Sequence, residues 1–253
     1  MTFLTNLNNY FWPKDMENIA AYLGNDNPDK LRRLKIYRII ALIIYIGIYV
    51  HSYFGMDGQY LYYVIAFTQW GLFLTSLSLF FLFIAVNVKG KRKFIHKFAF
   101  VLFEIAWTSE VVITVVFWSI LVVIDFREAY KYNAAVISFM VESHSLPLIM
   151  LSLDFYQSQM EFKKRHGLFV AILPTLYAGV SILLAAEFDI FTYSILTWRD
   201  YTSFLYGILF LFLFIFAFTL GYLIGERRRN RKLQLMDSPH EIIIREDNMS
   251  LVV

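Results

Sequence analysis

The chain has 253 residues, of which 58% are hydrophobic, 19% aromatic and only 17% charged. A water-soluble domain is about a quarter charged and less than half apolar, so this composition excludes an ordinary globular protein with its surface in water. No cysteine is present, which excludes disulfides, thiolate metal sites and a cysteine nucleophile together.

The first 35 residues read as a cytosolic amino-terminal segment. Its start, Met1-Thr2-Phe3-Leu4, lacks the basic and apolar stretches of a cleaved signal peptide, and Asp15 and Glu17 ahead of Arg32 argue against a mitochondrial presequence. Phe11, Trp12 and Pro13 form either an interfacial segment or a loose end. Apolar runs then follow over residues 36–54, 62–87, 98–124, 134–157, 168–186 and 203–225. A helix needs about 20 apolar residues to cross a hydrocarbon core of about 30 Å. The predicted fold is therefore all-α, a bundle of six transmembrane helices over residues 36–225. Residues 226–253 form a basic and then flexible cytosolic tail, with an apolar 242–244 run, a sequon at Asn248 and an apolar end at 251–253 that a peptide-binding domain could engage.

The basic residues set the direction of these spans. Lys14, Lys30, Arg32, Arg33, Lys35 and Arg38 precede or open the first. Lys89, Lys91, Arg92, Lys93 and Lys97 lie between the second and third, Lys163, Lys164 and Arg165 between the fourth and fifth, and Arg227, Arg228, Arg229, Arg231, Lys232 and Arg245 after the sixth. Only Arg127, Lys131 and Arg199 fall on the other side. The positive-inside bias puts both termini in the cytosol. The net charge of +3 follows from this arrangement and gives no reason to expect a nucleic-acid partner. The organelle is an endomembrane or the plasma membrane. Tyr60, Tyr62 and Tyr63, and Trp198 and Tyr201, fit aromatic belts at the interface.

Ionisable groups inside a span cost on the order of 2.5–3.5 kcal/mol each at the helix centre and mark functional candidates. Here they are Glu104 and Glu110 in the third run, and Glu142, His144 and Asp154 in the fourth, with Asp154 close enough to the cytosolic end to reach water. Pro147, three residues after His144, removes a backbone donor and frees the Ser143 carbonyl, which predicts a kink there. Glu142 points about 200° round the helix from His144, so an orienting carboxylate is expected from Glu104 or Glu110, with Ser145 a further supporting polar group. In the second run Thr68, Gly71, Thr75 and Ser78 share one face. Helix packing explains that stripe as readily as chemistry does. Thr75 and His144 are expected at similar depth, near the midplane, with Thr68 higher. A hydroxyl and a histidine at one depth can pair as a nucleophile and its general base, and a histidine that bonds a neighbouring helix and packs the bundle fits His144 equally well. One deep histidine and separated carboxylates do not make a metal centre, and no motif calls for a cofactor.

Residues 60–226 resemble the androgen-induced membrane proteins and their androgen-dependent relatives that regulate tissue factor pathway inhibitor. The resemblance rests on Trp70 followed by Phe73-Leu74-Thr75, Phe117-Trp118 with the later Arg127-Glu128, His144 before Pro147, Gly167-Leu168, and Tyr222-Leu223-Ile224-Gly225-Glu226. It implies an intramembrane hydrolase of fatty acid esters of hydroxy fatty acids, with Thr75 as nucleophile and His144 as base. Four residues separate Trp70 from Thr75 where the family has three, which leaves Thr68 as a second candidate. His144 lies three residues from its proline where the family has five, and the family's Asn-His-x-x-His-Thr run before the proline is absent. Membrane lipids and a lipid ester are then the expected partners. The alternative is a non-catalytic subunit of a membrane protein complex, or a lipid-binding scaffold on the same fold. A proton-coupled carrier using Glu104, Glu110 and Glu142 lacks the inverted repeat such carriers show.

Overall fold

The computed structural model of the protein describes residues 8–12, 23–55, 64–88, 93–124 and 134–237. Expectations that concern Tyr60, Tyr62 and Tyr63, Arg127, Glu128 and Lys131, the 89–92 loop, most of the first 22 residues and the tail beyond residue 237 lie outside the described residues. Seven principal helices follow one another: α1 Pro28–Gly55, α2 Phe67–Asn87, α3 Lys93–Val116, α4 Ala134–His144, α5 Leu146–Gln157, α6 Gly167–Phe188 and α7 Tyr201–Asp237. A π-helical turn, Phe117–Leu121, carries α3 on into Val122–Ile124. No strand occurs among the described residues.

Local chemistry sets the helix ends. Asn27 Oδ1 accepts the amides of Asp29 and Lys30 at 3.0 and 3.1 Å, with Pro28 opening the helix and Asp29 in its first turn. Asp200 starts α7 in the same way, accepting the Thr202 hydroxyl at 2.6 Å and the Ser203 amide at 3.0 Å. Those bonds, Thr202's foremost, hold the Asp200 carboxyl below the ordinary carboxylate range. At its far end α6 stops at Asp189, whose φ of 57° is left-handed, and an Asp189–Arg199 ion pair links the two ends of the connection to α7.

Five helical stretches are long and apolar enough to cross a bilayer: Pro28–His51, Phe67–Asn87, Lys93–Ile124, Lys164–Phe188 and Tyr201–Gln234. Helices α6 and α7 turn large apolar side chains outward, among them Leu168, Leu176, Leu183, Phe204, Phe212 and Phe216. Water would not support such a surface, whereas lipid does, and the chain is a multipass, membrane-embedded helical protein. The stretch expected to be the fourth span, residues 134–157, is broken into α4 and α5, of 11 and 12 residues. Neither piece reaches crossing length. Pro147 stands in the first turn of α5, where its missing N–H costs nothing, and the chain bends at Ser145 just before it. Both pieces pack against α1 and α3.

At the basic end of the bundle the core holds charge as well as aromatic rings. Asp154 does not reach water: it is 0% exposed, and the equally buried Arg38 grips it through Nε and Nη2 at 2.6 and 2.8 Å. A third Arg38 bond runs to the Leu82 carbonyl at 3.2 Å. One turn into the bundle, Glu104 meets His166 Nδ1 at 2.6 Å and accepts the Lys163 amide at 2.8 Å. Trp12 and Phe100 close over the His166 ring. Arg228 of α7 donates to the Met160 carbonyl at 2.6 Å, and a Cβ at Gly225 would stand 3.2 Å from the Glu161 Cα. The small residue there is what lets α7 reach the α5–α6 connection.

Removing one member of the Arg38–Asp154 pair strands a buried charge. Asp154→Asn should lower the stability of the protein in detergent by about 3–5 kcal/mol, read from denaturant or thermal melts, while the double variant Arg38→Met/Asp154→Leu should recover most of it.

Candidate functional site

Thr68 lies in the first turn of α2, because Ala66 adopts an extended conformation (φ −68°, ψ 131°) and the helix begins only at Phe67. His144 is the last residue of α4, at the break that Pro147 imposes. Between them stands the π-helical turn of α3. A π turn widens the helix by one residue, and it turns Phe117 flat against the His144 ring, with centroids 3.5 Å apart and planes 11° from parallel. Thr114 donates to the His144 carbonyl at 2.7 Å, and Trp118 Nε1 donates to Ser145 Oγ at 2.8 Å. One backbone carbonyl and one side-chain hydroxyl at the break are thus held from α3 and its π turn.

The imidazole itself bridges two helices. Nδ1 lies 2.8 Å from the Met140 carbonyl and 2.9 Å from Ser143 Oγ, whose own proton goes to the Phe139 carbonyl at 2.8 Å. Both neighbours act as acceptors, so Nδ1 carries the proton and Nε2 presents its lone pair. The group facing Nε2 is Thr68 Oγ1, at 3.1 Å. A threonine hydroxyl donating to an imidazole nitrogen is the starting arrangement for general-base activation of an alcohol.

This is a different pairing from the one expected at the midplane. Thr75 does not meet His144; its hydroxyl donates to Glu110 Oε1 at 2.9 Å, and both side chains are completely buried. The seven-residue step from Thr68 to Thr75 amounts to about 10 Å along the helix, and the late start of α2 places the upper threonine level with the α4 terminus. Tyr45 is buried beside Thr75 and Glu110, and together they form a polar contact among α1, α2 and α3. Neither Glu110 nor Glu104 orients His144, as the sequence had suggested: the first belongs to Thr75, the second to His166, and a backbone carbonyl does the orienting. Glu142, as its angle round the helix implies, turns away from His144, accepting from Ser138 at 2.6 Å and lying 3.5 Å from His51. Ser145 supports Trp118.

Thr68 also lines a cavity of about 430 Å³ enclosed by α2, α3, α6, α7 and the connection before α7. Its wall includes Val112, Val116, Leu121, Phe210 and Phe214, and no charged side chain. The hydroxyl groups on it come from Thr68, Thr175, Tyr177 and Tyr193. Tyr193 is adjacent to Thr68 and accepts the Phe67 amide at 3.1 Å. Burial raises its hydroxyl above the ordinary tyrosine range, which keeps it protonated. Trp198, expected in an interfacial belt, lines the same cavity, with φ at 58° and its Nε1 donating to Ser181 Oγ at 2.8 Å. Tyr193 escaped the sequence reading because a tyrosine between two spans is an ordinary interfacial residue, and Tyr177 because one aromatic ring in mid-span does not stand out in a chain with 17 tyrosines and 26 phenylalanines. The one available signal was the turn-rich connection 189–200, in which Tyr193 stands between two further hydroxyl residues, Thr192 and Ser194.

Among the described residues no three histidine, aspartate or glutamate side chains gather as a metal site. No protein-family model matches the chain, and neither a curated protein nor a solved structure is significantly similar to it.

Thr75→Val should leave the buried Glu110 short of its donor and cost about 1–3 kcal/mol of stability, measured by thermal unfolding in detergent. The same variant leaves the Thr68–His144 contact in place.

Proposed function

We propose that the protein is an intramembrane hydrolase of lipid esters in which Thr68 is the nucleophile and His144 its general base. The observation that carries this reading is the 3.1 Å contact from Thr68 Oγ1 to an imidazole whose other nitrogen is fixed as donor, on the wall of an uncharged cavity. It keeps the chemistry implied by the resemblance to the androgen-induced membrane proteins and moves the nucleophile from Thr75 to Thr68. Fatty acid esters of hydroxy fatty acids, or similar neutral-tailed esters, are the substrates this reading expects.

The reaction proceeds in two halves. Thr68 Oγ attacks the ester carbonyl carbon while its proton passes to His144 Nε2, and the carbonyl π electrons move onto oxygen. Collapse of that tetrahedral intermediate breaks the bond to the alkoxy group, which leaves as an alcohol after taking the proton from His144. Water then attacks the acylated Thr68, gives a proton to His144, and the acid is released as Thr68 recovers its own. The sum is ester plus water to acid plus alcohol.

A serine/threonine-directed fluorophosphonate should label the detergent-solubilised protein. Thr68→Ala should abolish the label, His144→Ala should slow it by roughly 10²-fold or more, and Thr75→Val should label as wild type does. A folded wild type that resists the probe would favour the scaffold reading. That second reading rests on one feature, the orientation of His144 by a backbone carbonyl where acyl-transfer enzymes use a carboxylate or its equivalent.

In the membrane we place the chain as six crossings, the fourth made by α4 and α5 together, with the basic end and both termini in the cytosol. Twenty of the 23 lysines and arginines support that orientation. Because the chain lacks cysteine, single substitutions report it directly. Arg199→Cys should react with an impermeant maleimide from the non-cytosolic side, and Lys232→Cys only after permeabilisation. The reverse pattern would invert the topology.

A further inference from the structure

The Thr68–His144 pair supplies a nucleophile and a base, and the mechanism above leaves unanswered what receives the negative charge that develops on the carbonyl oxygen. In an uncharged, water-poor cavity that charge needs hydrogen-bond donors already in place. Two phenols beside Thr68, those of Tyr193 and Tyr177, carry such donors on the cavity wall. The Phe67 amide donates to the Tyr193 hydroxyl oxygen at 3.1 Å, and the Thr68 and Tyr177 hydroxyls lie beside it, so the Tyr193 proton is held at the level of the Thr68 hydroxyl. A hydroxyl that accepts a hydrogen bond becomes a better donor, since the two bonds polarise one another. The positive end of the 21-residue α2 macrodipole reinforces it.

The Tyr177 hydroxyl makes the second observation. The residue is 8% exposed and lines the same cavity, and its oxygen makes no direct hydrogen bond, although the Thr192 and Tyr193 hydroxyls and the Phe67 amide stand close to it. A phenol left without a partner in an apolar wall costs free energy that a bound acceptor would restore. Its ring is locked between Phe67 and Trp70, at 4.6 and 5.4 Å centroid separations, so the hydroxyl has little freedom to turn away.

We infer that Tyr193 and Tyr177 are catalytic residues that form the oxyanion site of this centre, donating from the α6 side and the 189–200 connection to the carbonyl oxygen of an ester whose carbon faces Thr68. The inference rests on the hydrolase reading and deepens it. It also narrows the ligand class, because two phenolic donors recognise a neutral carbonyl oxygen and offer no counter-charge to a phosphate or sulfate ester. As attack proceeds, the C=O π pair settles on the oxygen held by the two phenols, and it returns to the C–O bond as the alkoxy group departs. No proton is exchanged with either tyrosine.

The test compares wild type, Tyr193→Phe, Tyr177→Phe and the double variant in detergent micelles, with a fluorogenic 4-methylumbelliferyl ester of a long-chain fatty acid as substrate. Removal of Tyr193's hydroxyl should lower kcat by about 10²–10³-fold with KM within about twofold, and the double variant should fall less than the product of the single effects. Affinity for a long-chain alkylboronic acid, whose tetrahedral adduct on Thr68 mimics the intermediate, should weaken along with kcat. Affinity for the free fatty acid should not. That ratio of the two affinities is read on the folded fraction and distinguishes a lost donor from a damaged bundle. If wild type turns the ester over and both phenylalanine variants keep kcat and the affinity ratio within threefold, the oxyanion assignment is wrong and the hydrolase reading stands. If wild type neither turns over nor labels, the hydrolase reading fails and takes this inference with it.

Discussion

Hydrocarbon offers no hydrogen bonds, so every polar group in this bundle has to find its partner inside the protein. That constraint organises the structure more than apolar packing does, since lipid tails welcome leucine and phenylalanine as readily as a protein core. The polar contacts accordingly fall at helix junctions. Arg38 and Asp154 tie α1 to α5, Glu104 and His166 tie α3 to the turn before α6, Thr75 and Glu110 tie α2 to α3, and Thr68 and His144 tie α2 to α4. Helices α6 and α7, with most of their length facing outward, lean on this frame and close the cavity against it.

The candidate site exists because three helices depart from regular geometry at one level. Helix α2 starts at Phe67, α3 widens into a π turn at Phe117 and α4 ends at His144. Each departure exposes a group a straight helix would have hidden: the first-turn amide of Phe67, the face of Phe117 and the ring of His144. The end of α4 is braced from the α3 side, where Thr114 donates to the His144 carbonyl and Trp118 to the Ser145 hydroxyl.

Much of this was legible in the sequence. Hydropathy located the helices, Pro147 announced the break after His144, and His144 itself stood out as a histidine deep in an apolar run. Register was not legible. Matching Thr75 to His144 by depth assumed straight helices running the length of their apolar stretches, but the second stretch contains five residues that precede α2 proper, with Ala66 out of helical conformation. That shifts the level of every hydroxyl on its face. Asp154 looked near enough to water because distance along a helix was the only measure at hand; that Arg38 waits opposite it is a fact about how α1 lies against α5. The tyrosines at the cavity were invisible for the same reason: no local pattern separates a belt residue such as Tyr193 from one folded inward over a cavity, or tells which way the mid-span ring of Tyr177 faces.

The cavity wall carries no charge of either sign, and that has a thermodynamic direction built into it. A neutral ester enters at little electrostatic cost. Under the proposed hydrolysis the acid formed at Thr68 would lose its proton on meeting a neutral aqueous phase, and the carboxylate would be an uncompensated ion in the cavity, where no lysine or arginine awaits it. Ionisation would then work as a one-way valve: the medium that admits a neutral precursor would disfavour the return of its charged product, without any moving part.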